Sequence, residues 1–423
     1  MKNRVFAQVS LAAIAVSLSG VPAFAGGFYA PYQSSSANAT ALAGASAGTG
    51  DPSGLFFNPA ANASLQGHQL YVDAKVFVPN VSLNATAATG PNRLGNPPLA
   101  VPDTAGGLAD TAFAPNVYAS YSINDRLKLG FAFSGPFAAK IDADPTWSGR
   151  YQLTKTDMTT YAGTVSLAYQ VNQVLAIGGG VTVEYLDGTF ERVEFVGADG
   201  IGYLEGDDVA VGFNAGLIWT PHEGTTIGLA YRSQMDHGFS GMAGIRGNFL
   251  FERTADYDMT LPQVVSLGIR QDLHENWTLL GEVQWQDSSS FTGFDIALGP
   301  SIADPTTRRD VRPQEWDDSF IIALGLQYRS DEKTTWSTGI HYDTAVSDGG
   351  GNTLSPDGDR IMIGFGVEKQ VSERFKWSAH YAHVFYKNAG INVTPSATNT
   401  QGALIGSLES DLHMFGIAGT LTW

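Results

Sequence analysis

The sequence predicts an all-β chain, a transmembrane antiparallel β-barrel of about 14 strands with an N-terminal hatch (plug) segment. Three observations predict it. From His68 onward, apolar and polar residues alternate with period two over segment after segment. The connectors between those segments alternate in length, short then long. No later segment offers about 18 consecutive apolar residues, although mean hydropathy is near zero and only 15% of residues are charged. Membrane barrels produce this mixture because each strand turns one face to lipid and the other to water.

The first residues read as an export signal. Lys2 and Arg4 precede an apolar run from Val5 to Leu18, and Ala23-Phe24-Ala25 supplies small-x-small before Gly26. Residues 1–25 are therefore set aside as a signal peptide, 26–65 as the hatch and 66–423 as the barrel. The net charge of −17 becomes more negative once Lys2 and Arg4 are removed. A nucleic-acid partner is disfavoured, because phosphate binding needs a basic face. Cysteine is absent, so an exported chain of this size must be stable without disulfides or thiolate metal sites. Nothing calls for a cofactor, and no metal ligands are assigned.

The segment from Gly26 to Leu65 is rich in Ala, Ser, Gly and Asn and lacks strand alternation. Ala37 to Ala47 reads as a short helix weakened by Gly44. Small side chains suit packing inside a cavity; a flexible leader is the alternative.

Strand alternation is clearest in Val174 to Tyr185, where Leu175, Ile177, Val181, Val183 and Tyr185 oppose Ala176, Gly178, Gly180, Thr182 and Glu184. Trp277 to Gln286 repeats it, with Glu282, Gln284 and Gln286 on the lumen side. Short connectors fall at Ile123 to Arg126, Gln170 to Gln173, Pro221 to Gly224, Asp272 to Asn276, Ser330 to Lys333 and Gln370 to Glu373. Long ones fall at Asn84 to Thr111, Gly135 to Asp157, Gly188 to Gly206, Ser288 to Glu315, Ser347 to Gly358 and Asn388 to Ser407. Short periplasmic turns and long external loops are the expected asymmetry, and an even strand number leaves both termini periplasmic.

A soluble sandwich would also alternate. Against it stand aromatics at the stripe ends, such as Tyr185, Trp219, Tyr231, Trp277, Trp336 and Trp377, which match interfacial girdles. The chain also closes on Phe415, Ile417, Leu421 and Trp423, all on one face. A terminal aromatic of this kind resembles the signal read by barrel-assembly machinery.

At Leu55-Phe56-Phe57-Asn58-Pro59-Ala60-Ala61 the sequence resembles the hatch motif of the FadL/TodX family of outer-membrane transporters. Gly149-Arg150-Tyr151, Ser166 to Tyr169, Leu261-Pro262, Trp316 to Ser319 and Pro356 to Arg360 extend the resemblance along the chain. It implies a monomeric barrel of the Gram-negative outer membrane in contact with lipid and lipopolysaccharide. It further implies passive transport of hydrophobic small molecules, foremost long-chain fatty acids, with lateral exit at a kinked third strand. Leu127 to Phe137 is third by count and runs into Gly135-Pro136, where proline removes a ladder donor and glycine permits unusual dihedrals, although the pair reads equally as the start of the external loop.

The resemblance casts Asn58, Pro59 and Ala60 as a hatch latch, Asn58 bonding wall backbone exposed by the kink. A fatty acid needs an apolar pocket and a cation near its carboxylate. Phe28, Leu55, Phe56 and Phe57 are candidates for the pocket, and Arg150 and Arg360 for the cation. Arg150 reads equally as a charge at the external rim, whereas Arg360 has lumen parity. Asp318 matches a family wall position yet shares parity with outward Phe320.

Three other readings compete. Aromatic or alkane hydrocarbons could be the cargo of the same channel, a ligand class without a carboxylate. An outer-membrane lipase could use Ser378 and His380, two apart on one strand face, although no orienting acid is evident. A general porin would need a wet, charged constriction that this lumen lacks.

Overall fold

The computed structural model of the chain describes residues 28–347, 357–395 and 400–423, so the predicted signal lies outside the described residues. Twenty-one strand segments form a single sheet, which closes as an antiparallel barrel of 14 strands. The first seven are β1 (Gln69–Ala88), β2 (Asp103–Gly106 and Ala112–Ser122), β3 (Leu127–Ser134 and Ala138–Asp142), β4 (Lys155–Gln170), β5 (Leu175–Phe195), β6 (Asp199–Trp219) and β7 (Thr225–Arg232 and Met235–Ile245). The second seven are β8 (Asn248–Leu261 and Val264–His274), β9 (Trp277–Gln286 and Gly293–Leu298), β10 (Arg308–Pro313 and Ser319–Asp331), β11 (Thr334–Asp343), β12 (Arg360–Ser372), β13 (Phe375–Tyr386 and Ala389–Val393) and β14 (Leu404–Thr422). Each strand pairs with its sequence neighbours, and β1 closes the ring on β14 from Gln69↔Thr422 to Ala88↔Leu404.

The alternation has its physical cause in this wall. On β5, Ile177, Val181, Val183 and Tyr185 are exposed outward, while Ala176, Thr182 and Glu184 are buried inward. Aromatic rings frame the apolar band. Trp277 packs on Tyr328 and Trp336 on Phe365 toward the short-turn end; Tyr161 stacks on Tyr185 and Phe213 on Tyr231 toward the long-loop end. At the seam, the His68 and Trp423 backbones exchange both hydrogen bonds, at 3.1 and 3.0 Å.

Several expected loops turn out to be strand. Gly188 to Gly206 lies within a hairpin, because β5 and β6 stay in register from Leu175↔Trp219 out to Phe195↔Asp199. Ser288 to Glu315 contains the paired segments Gly293–Leu298 and Arg308–Pro313, and Asn388 to Ser407 contains Ala389–Val393. Beyond the lipid both faces meet water, so the apolar stripe disappears although the backbone ladder continues.

Within the bore lies the N-terminal segment. It forms α1 (Ser35–Ala39), α2 (Gly54–Phe57) and two 3-10 turns, Ala45–Ala47 and Pro59–Ser64. Ser34 caps α1 by accepting from Ala37 N. The helix expected over Ala37 to Ala47 breaks after Ala39, because Ala41, Leu42 and Gly44 adopt positive φ of 49°, 68° and 73°. Two consecutive side-chain-bearing residues in that region store strain, and wall contacts hold them: Gly44 N donates to Gly281 O, and His341 Nδ1 lies 3.2 Å from Ala41 O.

Inward glycines let this backbone lie directly on the wall. A methyl group at Gly228 would strike the Ser46 carbonyl, at Gly339 the Thr40 carbonyl and at Gly364 the Asn38 carbonyl. We expect Gly339→Val and Gly364→Val to cost about 1–3 kcal/mol each through overpacking of backbone. Both should leave the heat-modifiable gel migration of the barrel intact while exposing residues 28–65 to limited proteolysis. Unchanged protection would contradict a hatch seated on these glycines.

Candidate functional site

The wall is breached at the third strand. Its first segment pairs with β2 through Val117↔Phe133 to Ser122↔Lys128, whereas Ala138–Asp142 is in register with β4 and meets the β2 chain again only where Asp142 N donates to Leu108 O. Ala112 to Asn116 of β2 keep their β1 partners, and the β2–β3 register begins only at Val117. Pro115 sits in this stretch, where a missing N–H is tolerated because the strand is locally an edge. The opening is lined mainly by apolar groups, Phe113, Ala114, Pro115, Phe133, Phe137 and Tyr161, with Gln33, Asn116 and Thr160 among its polar members.

The hatch satisfies the polar groups that the breach strands. Gln33 Nε2 donates to Gly135 O at 2.7 Å, and Gln33 Oε1 accepts from Gly135 N at 3.1 Å. The same Oε1 accepts from Asn116 Nδ2 on the opposite edge, at 2.8 Å. Ala30 N donates to Pro136 O, Ala138 N to Phe28 O, and Tyr29 forms an antiparallel bridge with Phe137. Phe137 N is taken by Thr160 Oγ1 and its carbonyl by Thr160 N. From Gly135 to Ala138, each of these backbone groups thus has a partner.

Asn58 is placed elsewhere. Its Nδ2 donates to Ser46 O at 2.8 Å and to Leu217 O at 3.0 Å, with Leu229 O at 3.5 Å. Its Oδ1 caps the Pro59–Ser64 turn by accepting from Ala60 N. Asn58 therefore ties the hatch to β6 and β7, and not to the kink as the sequence suggested; Gln33 holds the kink. Pro59 and Ala60 press on Gly178 of β5. Further anchors are Glu282, which accepts from Ser46 N and Oγ, and Asp73, which accepts from Ser35 N and Oγ. Lys75 bonds both Asp73 and Asn116 at 2.6 Å, joining this anchor to the breach.

An aromatic column leads toward the breach. Phe190 meets Phe294 at 5.2 Å, Phe294 meets Phe291 at 5.4 Å, and Phe291 meets Phe28 at 5.3 Å. Trp316 packs against both Phe28 and Phe291, and Tyr29, next in sequence, meets Phe137 at 5.6 Å. Phe190 also lines a cavity of about 740 Å³ at the long-loop end, together with Leu204, Ile245, Ile296 and several arginines. Below the hatch, a second cavity of about 380 Å³ is lined mainly by polar groups such as Arg270, Asp272, Gln327 and Glu368.

A cation missed by sequence reading faces the hatch. Arg232 is buried, donates from Nη2 to Phe56 O at 2.6 Å and lies 4.3 Å above the Phe56 ring. Among the described residues no carboxylate lies within ion-pair distance of it. Tyr29, Phe56 and Phe57 line the small space beside it. Its parity on β7 was readable; its lack of a partner was not. Leu55 packs toward Gly130 of β3, where a methyl group would meet its side chain at 2.6 Å.

The other nominated residues lie apart from this centre. Arg360 is buried, but Asp343 and Asp357 already hold it, at 2.5 and 3.5 Å. Two carboxylates match its charge, so it ties β11 to β12 and presents no free cation to a ligand. Arg150 sits among the long-loop residues, 3.4 Å from Asp199 and over the Tyr151 ring. Asp318 accepts from the indole of Trp285 at 2.9 Å, which places it on the outward face. His380 Nε2 faces the hatch amide of Asn38 at 3.4 Å, and among the described residues no hydrogen bond joins it to Ser378.

A closed barrel with a polar-anchored plug and an apolar breach defines a plugged outer-membrane transport channel. The profile of the family described as Outer membrane protein transport protein (OMPP1/FadL/TodX) matches residues 16–423, and the chain belongs to that family. It is 26% identical over 421 residues to outer membrane protein P1 of Haemophilus influenzae, covering 89% of each chain. To the long-chain fatty acid transport protein of Escherichia coli K12 it is 22% identical, covering 95% of this chain and 97% of the relative. Among solved structures, a FadL homologue of Pseudomonas aeruginosa superposes with a TM-score of 0.81 at 22% identity, over 94% and 99% of the two chains. The Pseudomonas putida toluene transporter TodX superposes with a TM-score of 0.67 at 14% identity, over 96% and 99%. The chain is thus an outer-membrane transporter of hydrophobic compounds, in a family of channels and not of enzymes.

Asn58→Ala should strand the Ser46 and Leu217 carbonyls inside the bore and cost about 1–3 kcal/mol of hatch stability. Hydrogen exchange should then rise in residues 45–64 and stay unchanged in β1 and β14. Equal protection in the variant would remove Asn58 from the latch.

Proposed function

We propose that the chain carries long-chain fatty acids through the outer membrane by passive diffusion. The observation that carries this reading is Arg232, a buried guanidinium without a carboxylate partner among the described residues, set against Phe56, Phe57 and Tyr29. An unpaired buried cation is costly, and a ligand carboxylate bound bidentately would relieve it. The ligand enters at the long-loop end, which faces outward and leaves both termini in the periplasm. It follows the Phe190 to Phe28 column and leaves sideways through the β3 breach into lipid.

One contrast and one chain of contacts support lateral exit. The breach is rimmed by Phe113, Pro115, Phe133, Phe137 and Tyr161, whereas the cavity toward the short turns is lined by charged and amide groups. An apolar tail loses about 25 cal/mol per Å² on entering a polar, wet space. Contacts also link the two sites. Phe56 accepts from Arg232, α2 begins beside Ser53, Ser53 Oγ meets Ser34 Oγ at 2.6 Å, and Ser34 follows Gln33 at the breach. A carboxylate competing for Arg232 therefore loosens the segment that blocks the exit. The barrel acts as a monomer in lipid and lipopolysaccharide, and Trp423 at the seam supplies the signal for assembly.

A hydrocarbon cargo is the second reading, favoured by the uncharged column of Phe28, Phe291, Phe294 and Trp316. Arg232→Met separates the two. Loss of charge-assisted bonds of about 1.5–3 kcal/mol should weaken oleate binding roughly 10- to 100-fold and leave toluene uptake unchanged. Equal oleate uptake by the variant, in cells lacking other fatty-acid channels, would overturn the fatty-acid reading.

The exit can be tested separately, because the chain has no cysteine of its own. Tyr29→Cys with Phe137→Cys places two thiols on bridged residues. Oxidation should drop oleate uptake to background, and reduction should restore it. Uptake indifferent to redox state would exclude the β3 breach as the route.

A further inference from the structure

The wall carries a second polar cluster that the transport reading does not use. On β14, Asp411 and His413 are two apart and share the outward face, and register places His383 of β13 directly opposite His413. The three ligand atoms converge: His413 Nε2 lies 3.6 Å and His383 Nε2 3.8 Å from Asp411 Oδ1. Among the described residues this is the one group of three or more metal-ligating side chains whose donor atoms all lie within 4.8 Å.

We propose that His383, His413 and Asp411 form a binding site for a divalent transition-metal ion of the zinc class. Donors about 2.0–2.1 Å from a tetrahedral zinc stand roughly 3.3–3.4 Å apart; the two imidazole-to-carboxylate separations lie within a few tenths of an ångström of that, and all three donors lie within 4.8 Å of one another. The donor set suits the borderline ions that imidazole and carboxylate select, and not calcium or magnesium, which take oxygen.

Outer contacts orient the ligands as a metal site requires. Tyr381 Oη lies 2.9 Å from His413 Nδ1 and 3.5 Å from His383 Nδ1. With the proton on Nδ1 and donated to Tyr381 Oη, each Nε2 keeps its lone pair for the ion. Asn80 of β1 donates to Asp411 Oδ2 at 3.1 Å, leaving Oδ1 to the site. The rings are fixed as well, His383 stacking on Phe385 at 4.0 Å and meeting His413 edge-on at 4.2 Å. His383 Nε2 is itself buried and has no hydrogen-bond partner. An ion would supply that partner.

Position gives the site its consequence. Along the outward face of β14, the apolar run Leu421, Ile417, Phe415 gives way at His413 to Asp411 and Glu409. On β1 the same level is marked by the change from Val78 to Asn80. The ion therefore sits where the lipid-facing stripe meets the polar layer toward the long loops. Three protein ligands would tie β13 to β14 beside the β1–β14 seam, and a tetrahedral ion would keep one coordination position for water or a lipid phosphate.

The test uses the full barrel in detergent, with any tag removed and metal stripped by chelator, titrated calorimetrically with zinc alone. One saturable zinc per chain is expected, abolished in His383→Gln and His413→Asn, with a raised Tm in the zinc-loaded wild type only. Tyr381→Phe keeps all three ligands and should weaken binding on the order of 10–100-fold. This variant keeps the proposal exposed if the histidine variants fail to insert. His222→Gln with His274→Gln, both at short turns, should bind as wild type. Absence of saturable binding, or equal binding by His383→Gln, His413→Asn and wild type, would overturn the site.

Discussion

A backbone N–H or C=O left unpaired in hydrocarbon costs several kcal/mol, and every other feature of this barrel answers to that constraint. Closure of β1 on β14 settles most of it. The breach at Gly135 to Ala138 is the exception, and there the missing partners come from Phe28, Ala30 and Gln33 of the hatch. The plug is consequently part of the wall. A gap that would otherwise be too expensive in lipid is stable because the segment filling it hydrogen-bonds as a strand would.

That arrangement explains why the hatch is polar in its anchors and small in its side chains. Ser35, Ser46 and Asn58 reach wall groups directly, and the inward glycines on β7, β11 and β12 remove the side chains that would hold its backbone away. An apolar plug could pack as tightly. It would have no hydrogen bonds to exchange for water were it to shift, whereas hydroxyl and amide anchors lose little on such an exchange.

Much of the fold was legible in the sequence, because period two is a local property and the lipid face enforces it residue by residue. Leu175 to Tyr185 and Trp277 to Gln286 face as their parity dictates. Legibility stopped where lipid stopped. In Gly188 to Gly206 the apolar stripe is gone, yet the β5–β6 ladder runs on, so a strand read as a loop. The site was less legible, because its chemistry depends on pairings across the barrel. Parity put Arg360 in the lumen but could not reveal Asp343 and Asp357 beside it. Arg232 carried no local sign that, among the described residues, no carboxylate faces it. Gln33 matters only because a breach about a hundred residues away in sequence needs an amide at that spot, and nothing in the Ala- and Ser-rich text around it marks that need. The hatch motif drew attention to Asn58, which does bond the wall, at β6 and β7.

The distribution of polarity then decides what such a barrel can move. A water-soluble solute would find charged and amide groups at the long-loop mouth and below the hatch, but between them it would have to cross the packed rings of Phe294, Phe291 and Phe28. An apolar solute meets the reverse profile, favoured along the rings and opposed by the polar chamber beneath. A path that never re-enters water would cost it least, and the lateral route proposed above runs past Phe113, Phe133 and Phe137 beside that column. On that route, the same desolvation cost that forces the barrel to close would direct the cargo toward the stretch of wall where hatch residues supply the closure.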